Sequence, residues 1–306
     1  MTALDRLADR LGAAAVRDVA LGPFTTYRVG GPAGLFVEVE DEATLRLVAD
    51  ALAGEDEAVP TLVVGKGSNL LVADAGFPGL ALRLGGTFAE VHLDDLSVIA
   101  GGATALPVLA RQTAAAGLTG LEWAVGVPGS VGGGVRMNAG GHGSDLAATL
   151  TEVRLLDLRT GEDGSVPAAA LALGYRHSSV AAHQVVCSAR FHLARGDAEV
   201  ATAEIAEIVR WRRDNQPGGP NAGSVFTNPE GDSAGRLIEA AGGKGRRHGT
   251  AEVSTKHANF IQADPGGRAG DVRALMDEVR DLVRAETGVE LVAETRLVGF
   301  DEEVPS

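Results

Sequence analysis

The chain of 306 residues is 45% hydrophobic and 22% charged, the balance of a globular protein with apolar side chains enough for two or three cores. Its 27 basic residues stand against 41 acidic ones, a net charge of −14. Nucleic-acid binders draw most of their affinity from neutralising phosphates, so a free-standing binder of that class is not expected. A single cysteine, Cys187, rules out an internal disulfide and a thiolate-built zinc site, and its alternating apolar neighbours make it a core residue. Residues 1–20 carry Asp5, Arg6, Asp9 and Arg10 without an apolar core, and no run approaches the ~20 apolar residues of a bilayer span. A cytoplasmic location is expected.

Taken in chain order, residues 41–54 open on acids, repeat apolar side chains at helical spacing and end at Gly54, which predicts a helix. Thr61–Val64 reads as a short strand running into Gly65-Lys66-Gly67-Ser68-Asn69-Leu70-Leu71. Ala81–Leu84 and Ser97–Ala100 pattern as strands, and Leu106–Ala116 as a helix stopped by Gly117. From Gly126 to Gly143 the chain is almost all glycine, small residues and Pro128, so an irregular loop is expected there. Strands resume at Glu152–Leu158 and Gln184–Leu193, with a polar turn at Arg159–Ser165.

A helix over Asp197–Arg213, capped by Asp197, leads into the linker-like Asp214–Ser224. Residues 235–241 predict a short helix. Asp271–Thr287 predicts a long one, with Val272, Leu275, Met276, Val279, Leu282 and Val283 on one face and Gly288 closing it. The last strand, Glu290–Val298, sets Leu291, Ala293, Thr295 and Leu297 opposite Val292, Glu294, Arg296 and Val298. This order predicts an α+β fold with a boundary near 200–215.

Two glycine-rich loops stand out. Gly65-Lys66-Gly67 begins like a dinucleotide fingerprint, but Leu70 stands where the third glycine belongs. Glycines after a strand still let backbone N–H groups approach a pyrophosphate, and Ser68 and Asn69 add donors; the alternative is a plain tight turn. The second loop, 126–143, embeds Val127, Val131, Val135 and Met137, which argues for packing and for a flat or charged ligand against its backbone. Gly231-Asp232-Ser233-Ala234-Gly235 matches a hydrolase elbow, but an Asn-Pro-Glu loop precedes it where a strand is required. The seven histidines have no metal-ligand spacing, so no metal is expected. Tyr175-Arg176-His177-Ser178, Ser224 at the end of the linker, and Glu294 and Arg296 in the last strand read singly as a surface Arg, a turn Ser and an edge ion pair.

Together these residues resemble the UDP-N-acetylenolpyruvoylglucosamine reductase (MurB) family. The matching segments are T-T-Y-R-V-G-G-P-A (25–33), G-K-G-S-N-L-L (65–71), G-V-P-G-S-V-G-G (126–133), M-N-A-G (137–140) and Y-R-H-S (175–178). G-S-V-F-T-N-P (223–229), A-G-x-L-I-E-x-A-G (234–242), K-H-A-N-F (256–260) and the closing strand to Gly299 complete them, in family order. The resemblance implies a two-part FAD-binding domain of the vanillyl-alcohol-oxidase/PCMH type, over 1–90 and 91–200, and a C-terminal α+β substrate-binding domain over 201–306. The 48 residues from Arg176 to Ser224 (224 − 176) look like the family's second type, which lacks an extra loop.

The resemblance further implies non-covalent FAD, NADPH as co-substrate, and reduction of UDP-N-acetylglucosamine enolpyruvate to UDP-N-acetylmuramate. Gly65, Lys66, Gly67, Ser68, Asn69, Leu70, Pro128, Gly129, Ser130, Gly132, Gly133, Asn138 and Gly140 would hold the cofactor. Tyr175, Asn228, Lys256, His257 and Asn259 would hold substrate. Arg176 and Glu294 would stabilise charge developing in the enolpyruvyl carboxylate, and Ser224 would protonate the carbon. Arg136, Lys244, Arg246 and Arg247 are further candidates for phosphate or carboxylate contacts. The implied partners are the UDP-sugar and NADPH, for a monomer or weak oligomer without nucleic acid or membrane.

Two departures keep an alternative open. Thr227 stands where the family usually has Lys, and Gly141-His142-Gly143 stands where many members carry an aromatic residue. A flavin-dependent oxidoreductase of the same fold with another substrate is one alternative, and a non-catalytic nucleotide-binding module is another.

Overall fold

The computed structural model describes residues 1–55 and 57–300; the end of the expected C-terminal domain, 301–306, lies outside the described residues. Helices and strands are interspersed along the chain, in an α+β arrangement. The chain forms two compact units. One comprises Met1–Arg17, Leu35–Lys66 and Gly79–Arg212, and the other Asp18–Gly34, Gly67–Pro78 and the chain from Arg213.

The first unit is built on a five-stranded antiparallel sheet in the order Asp163–Pro167, Leu150–Asp157, Gln184–His192, Ser97–Gly101 and Val91–Asp94. Along Gln184–His192 the buried residues are Val185, Val186, Cys187, Ala189 and Phe191, consecutive ones among them, so both faces of this strand have a core to serve. Val186 and Phe191 join a cluster with Leu106, Leu109, Val131 and Ile205. Val185 and Cys187 join another with Leu7, Leu35, Leu45 and Leu80. Burial pushes the Cys187 thiol up to about 12, so it is an inert core group. In this unit Thr61–Val63 pairs in parallel with Leu80–Leu82 and delivers the chain to Gly65.

The second unit packs helices Ala234–Ala240 and Ala269–Thr287 with a three-stranded sheet of Arg247–His248, Ala251–Val253 and Ile261–Ala263. Val272, Leu275, Met276, Val279 and Val283 form the predicted buried stripe of the long helix, and Gly288 closes it with φ +73°. Leu70–Val72 pairs in parallel with Arg296–Val298.

Three sequence expectations are corrected. The stretch 126–143 is not irregular throughout, for Val131–Met137 is a helix. Ser130 caps it, accepting the Gly133 N–H, and its glycines serve packing: a Cβ on Gly134 would lie 2.9 Å from Leu146 and 3.1 Å from Leu106. The polar turn ends early, because Asp163–Pro167 pairs with Glu152–Leu156. The last strand is confined to Arg296–Val298, since residues 292–295 give their backbone bonds to 225–227 instead of to a ladder. Leu291 and Thr295 are buried as alternation required, whereas Ala293 is exposed.

Candidate active site

In the first unit the start of the first glycine-rich loop, Gly65-Lys66, meets the second loop. A Cβ on Gly65 would lie 2.5 Å from the Ser130 hydroxyl. The second loop is seated on Gly102-Ala103-Thr104: Val131 N–H donates to the Thr104 carbonyl and Gly132 N–H to the Gly102 carbonyl, both at 2.8 Å. A Cβ on Gly102 would lie 1.9 Å from the Val186 carbonyl, so that position requires glycine. Gly102 was not singled out in the sequence, although Gly101-Gly102 directly after a predicted strand was the available signal.

Among the described residues, the backbone N–H groups of Lys66, Gly67, Ser68, Asn69, Gly129 and Ser130 donate to nothing. Gly67, Gly129 and Ser130 are buried. Buried donors are nearly always satisfied, so Gly129 and Ser130 in the first unit, and Gly67 in the second, are each open to an acceptor such as a pyrophosphate oxygen of FAD. The residues present fit that cofactor. Gly133 and Pro128 lie exposed beside them.

Asn138 is buried, closes the helix in the left-handed region at φ +40°, and uses its side chain on the protein. Its Nδ2 donates to Gly174 O at 3.0 Å and to Asp145 Oδ2 at 3.1 Å, and its Oδ1 accepts the Ala147 N–H. Gly174 opens a two-residue turn closed by His177, with Tyr175 and Arg176 at its tip. Arg176 has φ +54°, a conformation that costs a non-glycine residue about 1–3 kcal/mol. Its Nη2 donates to Gly140 O at 3.0 Å, and its guanidinium lies 5.3 Å from the centroid of the exposed Tyr175 ring. The Ser178 hydroxyl donates to Arg136 O at 2.7 Å, and Arg136 to Val180 O, so both are bracing the turn. His142 meets Trp211 edge-on at 5.1 Å; burial, then the Arg212 charge, holds its imidazole below the usual range.

In the second unit Ser224 and Glu294 are brought together through one residue. Val225 follows Ser224, and its carbonyl accepts the N–H groups of Glu294 at 2.8 Å and of Thr295 at 3.3 Å. The Ser224 hydroxyl is half-buried and makes no hydrogen bond to any described residue. Asn69 reaches the same place, its Nδ2 donating to Glu294 O at 3.0 Å, while Leu70 begins the strand paired with Arg296. Asn259 bonds both main-chain groups of Phe226.

The other expected ligand residues have protein partners here. Asn228 Oδ1 accepts the Ala234 N–H at 3.1 Å, and the Lys256 ammonium donates to Arg213 O. His257 Nδ1 accepts the Asn259 N–H at 3.3 Å, and burial lowers its imidazole pKa. Lys244, Arg246 and Arg247 pair with Glu239, Glu278 and Glu252 on the surface. Ser233 of the hydrolase-like motif is a helix cap that accepts the Arg236 N–H. Thr227 turns its hydroxyl to Val292 O.

Family profiles match the chain in two places: an FAD binding domain over residues 33–163, and the UDP-N-acetylenolpyruvoylglucosamine reductase C-terminal domain over residues 215–298. The UDP-N-acetylenolpyruvoylglucosamine reductase of Acidiphilium cryptum is 42% identical, across 92% of this chain and 91% of that one. The enzyme of the same name from Rubrobacter xylanophilus is 43% identical, across 96% and 99%. A crystal structure of UDP-N-acetylenolpyruvylglucosamine reductase from Thermus caldophilus is similar with a TM-score of 0.79, at 37% identity, covering 93% of this chain and 98% of that one. An FAD-binding domain followed by the family's own C-terminal domain, with relatives this similar over nearly the full length, means that the chain belongs to the UDP-N-acetylenolpyruvoylglucosamine reductase family.

Proposed function

We propose that this chain reduces UDP-N-acetylglucosamine enolpyruvate to UDP-N-acetylmuramate, a step of peptidoglycan precursor synthesis, with NADPH as reductant. When bound, FAD would supply the hydride-transfer chemistry that links NADPH to the enolpyruvyl methylene carbon. The chain's own part is to bind, to stabilise charge and to deliver a proton. Backbone donors at Lys66–Asn69 and Gly129–Ser130 hold the cofactor's pyrophosphate, with Gly65, Leu70, Pro128, Gly132, Gly133 and Gly140 giving close approach. Tyr175, Asn228, Lys256 and His257 contact the UDP-sugar.

Hydride addition at the methylene pushes electron density toward the substrate carboxylate. Arg176, held in a strained turn, and Glu294 stabilise that charge. A hydroxyl is a weak acid, but an enolate-like dianion is basic enough to take the Ser224 proton at the adjacent carbon. The observation that carries this reading is the unpartnered Ser224 hydroxyl one residue from the carbonyl that registers Glu294.

The test is an anaerobic two-step spectrum of the purified yellow protein. NADPH should bleach the flavin, and the enolpyruvyl compound should restore its colour without oxygen. A flavin that bleaches and stays bleached overturns the substrate and favours another flavin-dependent activity of the same fold. Thr227 motivates that second reading, since its hydroxyl bonds the Val292 carbonyl where a Lys would offer a cation. A colourless protein that binds UDP-sugars would instead be a binding module.

Among the described residues no helix is long and apolar enough to cross a membrane. We further propose cytoplasmic action as a monomer or weak oligomer, on small molecules alone. The division at 1–90, 91–200 and 201–306 is proposed as the functional one, cofactor before substrate.

A further inference from the structure

Asn259 lies in the Lys256–Phe260 segment, where the family resemblance makes it a substrate ligand, yet its side chain is only 3% exposed. Its Oδ1 accepts the Phe226 N–H at 3.0 Å, and its Nδ2 donates to the Phe226 carbonyl at 2.8 Å. Its own carbonyl accepts the Val225 N–H at 2.9 Å. An amide that meets both polar groups of one residue stands in for a neighbouring strand. The same two residues carry the closing segment: Val225 O accepts the Glu294 and Thr295 N–H groups, and Phe226 bridges Ala293. Val225 and Phe226 are buried, so their polar groups have no water to turn to.

We propose that Asn259 is a positioning residue that sets the register of Ser224 against Glu294, and that it does not touch substrate. This rests on the roles given above to Ser224 and Glu294. Removing the amide orphans the Phe226 N–H and carbonyl. The segment then rotates to recover bonds and carries the Ser224 hydroxyl away from the reacting carbon. Proton transfer tolerates little such displacement, whereas cofactor reduction does not use Ser224.

The test uses flavin-loaded Asn259→Ala and Asn259→Asp. The second keeps the acceptor for Phe226 N–H, sets a carboxylate oxygen against the Phe226 carbonyl, and serves if the first does not fold. Bleaching by NADPH should stay within roughly twofold of the unaltered protein, while the limiting rate of reoxidation by the enolpyruvyl substrate falls about 10²-fold. Half-saturating substrate should move less than about threefold, and in a Ser224→Ala background the same change should cost less than about threefold more. A tenfold or larger rise in half-saturating substrate, ~1.4 kcal/mol of lost binding, with the limiting rate kept would make Asn259 a ligand and overturn the proposal.

Amide hydrogen exchange reads the same point without turnover. Asn259→Ala or Asn259→Asp should speed exchange at Phe226, Glu294 and Thr295 and leave the middle of helix Ala269–Thr287 unchanged. Unchanged exchange at Glu294 and Thr295 overturns the proposal whatever the activity. If the unaltered protein is not reoxidised by the enolpyruvyl compound, the proposed activity fails separately, and exchange still upholds or overturns the positioning.

Discussion

Asn69, in the first glycine-rich loop, donates its side-chain N–H to the carbonyl of Glu294 at 3.0 Å, across 225 positions of sequence. Its own carbonyl accepts the Arg296 N–H at 2.9 Å. The loop proposed to hold the cofactor is therefore bonded directly to the segment that bears the carboxylate. Asn69→Ala should lower the stability of the flavin-free protein by ~0.5–1.5 kcal/mol, the worth of one part-buried neutral bond. Urea unfolding at unchanged slope reads that loss. An unchanged midpoint with weakened flavin binding would mean that Asn69 serves the cofactor alone.

Ser224→Ala should separate the two halves of the reaction. Bleaching by NADPH stays near normal, and reoxidation by the enolpyruvyl substrate falls by ~10²–10⁴. Arg176→Lys should also slow reoxidation, because an ammonium cannot meet a carboxylate with a planar fork. Rapid-mixing absorbance of the flavin follows both steps. A Ser224→Ala protein with near-normal reoxidation would remove Ser224 as the acid.

Glycine substitutions test whether the first loop is a built cradle. Gly67 has φ +60°, and a Cβ there would lie 2.1 Å from the Phe24 carbonyl. Gly67→Ala should cost more than about 1 kcal/mol and yield protein that loses flavin on gel filtration. Gly141 has nothing within 4 Å of a Cβ and no positive φ, so Gly141→Ala should leave melting temperature and flavin content unchanged. Equal behaviour of the two variants would mean that loop geometry does not govern cofactor retention.

Much of this was legible in the sequence because local chemistry and tertiary context agree. The helix at Ala269–Thr287 has a continuous apolar stripe and a closing glycine, and it forms with both. Helix Val131–Met137 was not legible, since its glycines lower propensity and what favours them is tertiary, the approach of Gly134 to Leu106 and Leu146 and of Gly132 to the Gly102 carbonyl. Ser224 and Glu294 are expected from the resemblance alone, which also makes Asn69 and Asn259 ligand residues. Asn69 and Asn259 turn their amides to main chain 225 and 33 positions away, and no local pattern encodes such a bond.

The imidazole of His257 gives a stability test with a definite sign. It packs on Phe260 with ring centroids 4.8 Å apart, and burial holds its pKa below the ordinary 6.5, with the Lys244 charge acting in the same direction. The unfolded chain therefore binds more protons than the folded one below that value, so this contribution to stability is present at neutral pH and lost as pH falls through 6.5. His142, lowered by burial and then by Arg212, adds with the same sign. Carboxylates held low, such as Asp271 and Glu278, titrate in the unfolded chain near 3.8 and 4.5 and act mainly below this window. Acidification also relieves the net charge of −14, which opposes the histidine effect, so the comparison must be between variants. Urea unfolding at about pH 7.5 and about pH 5.5 should give a smaller acid loss for His257→Gln than for the unaltered protein. Equal losses in the two proteins would mean that His257 keeps an ordinary affinity for protons in the fold.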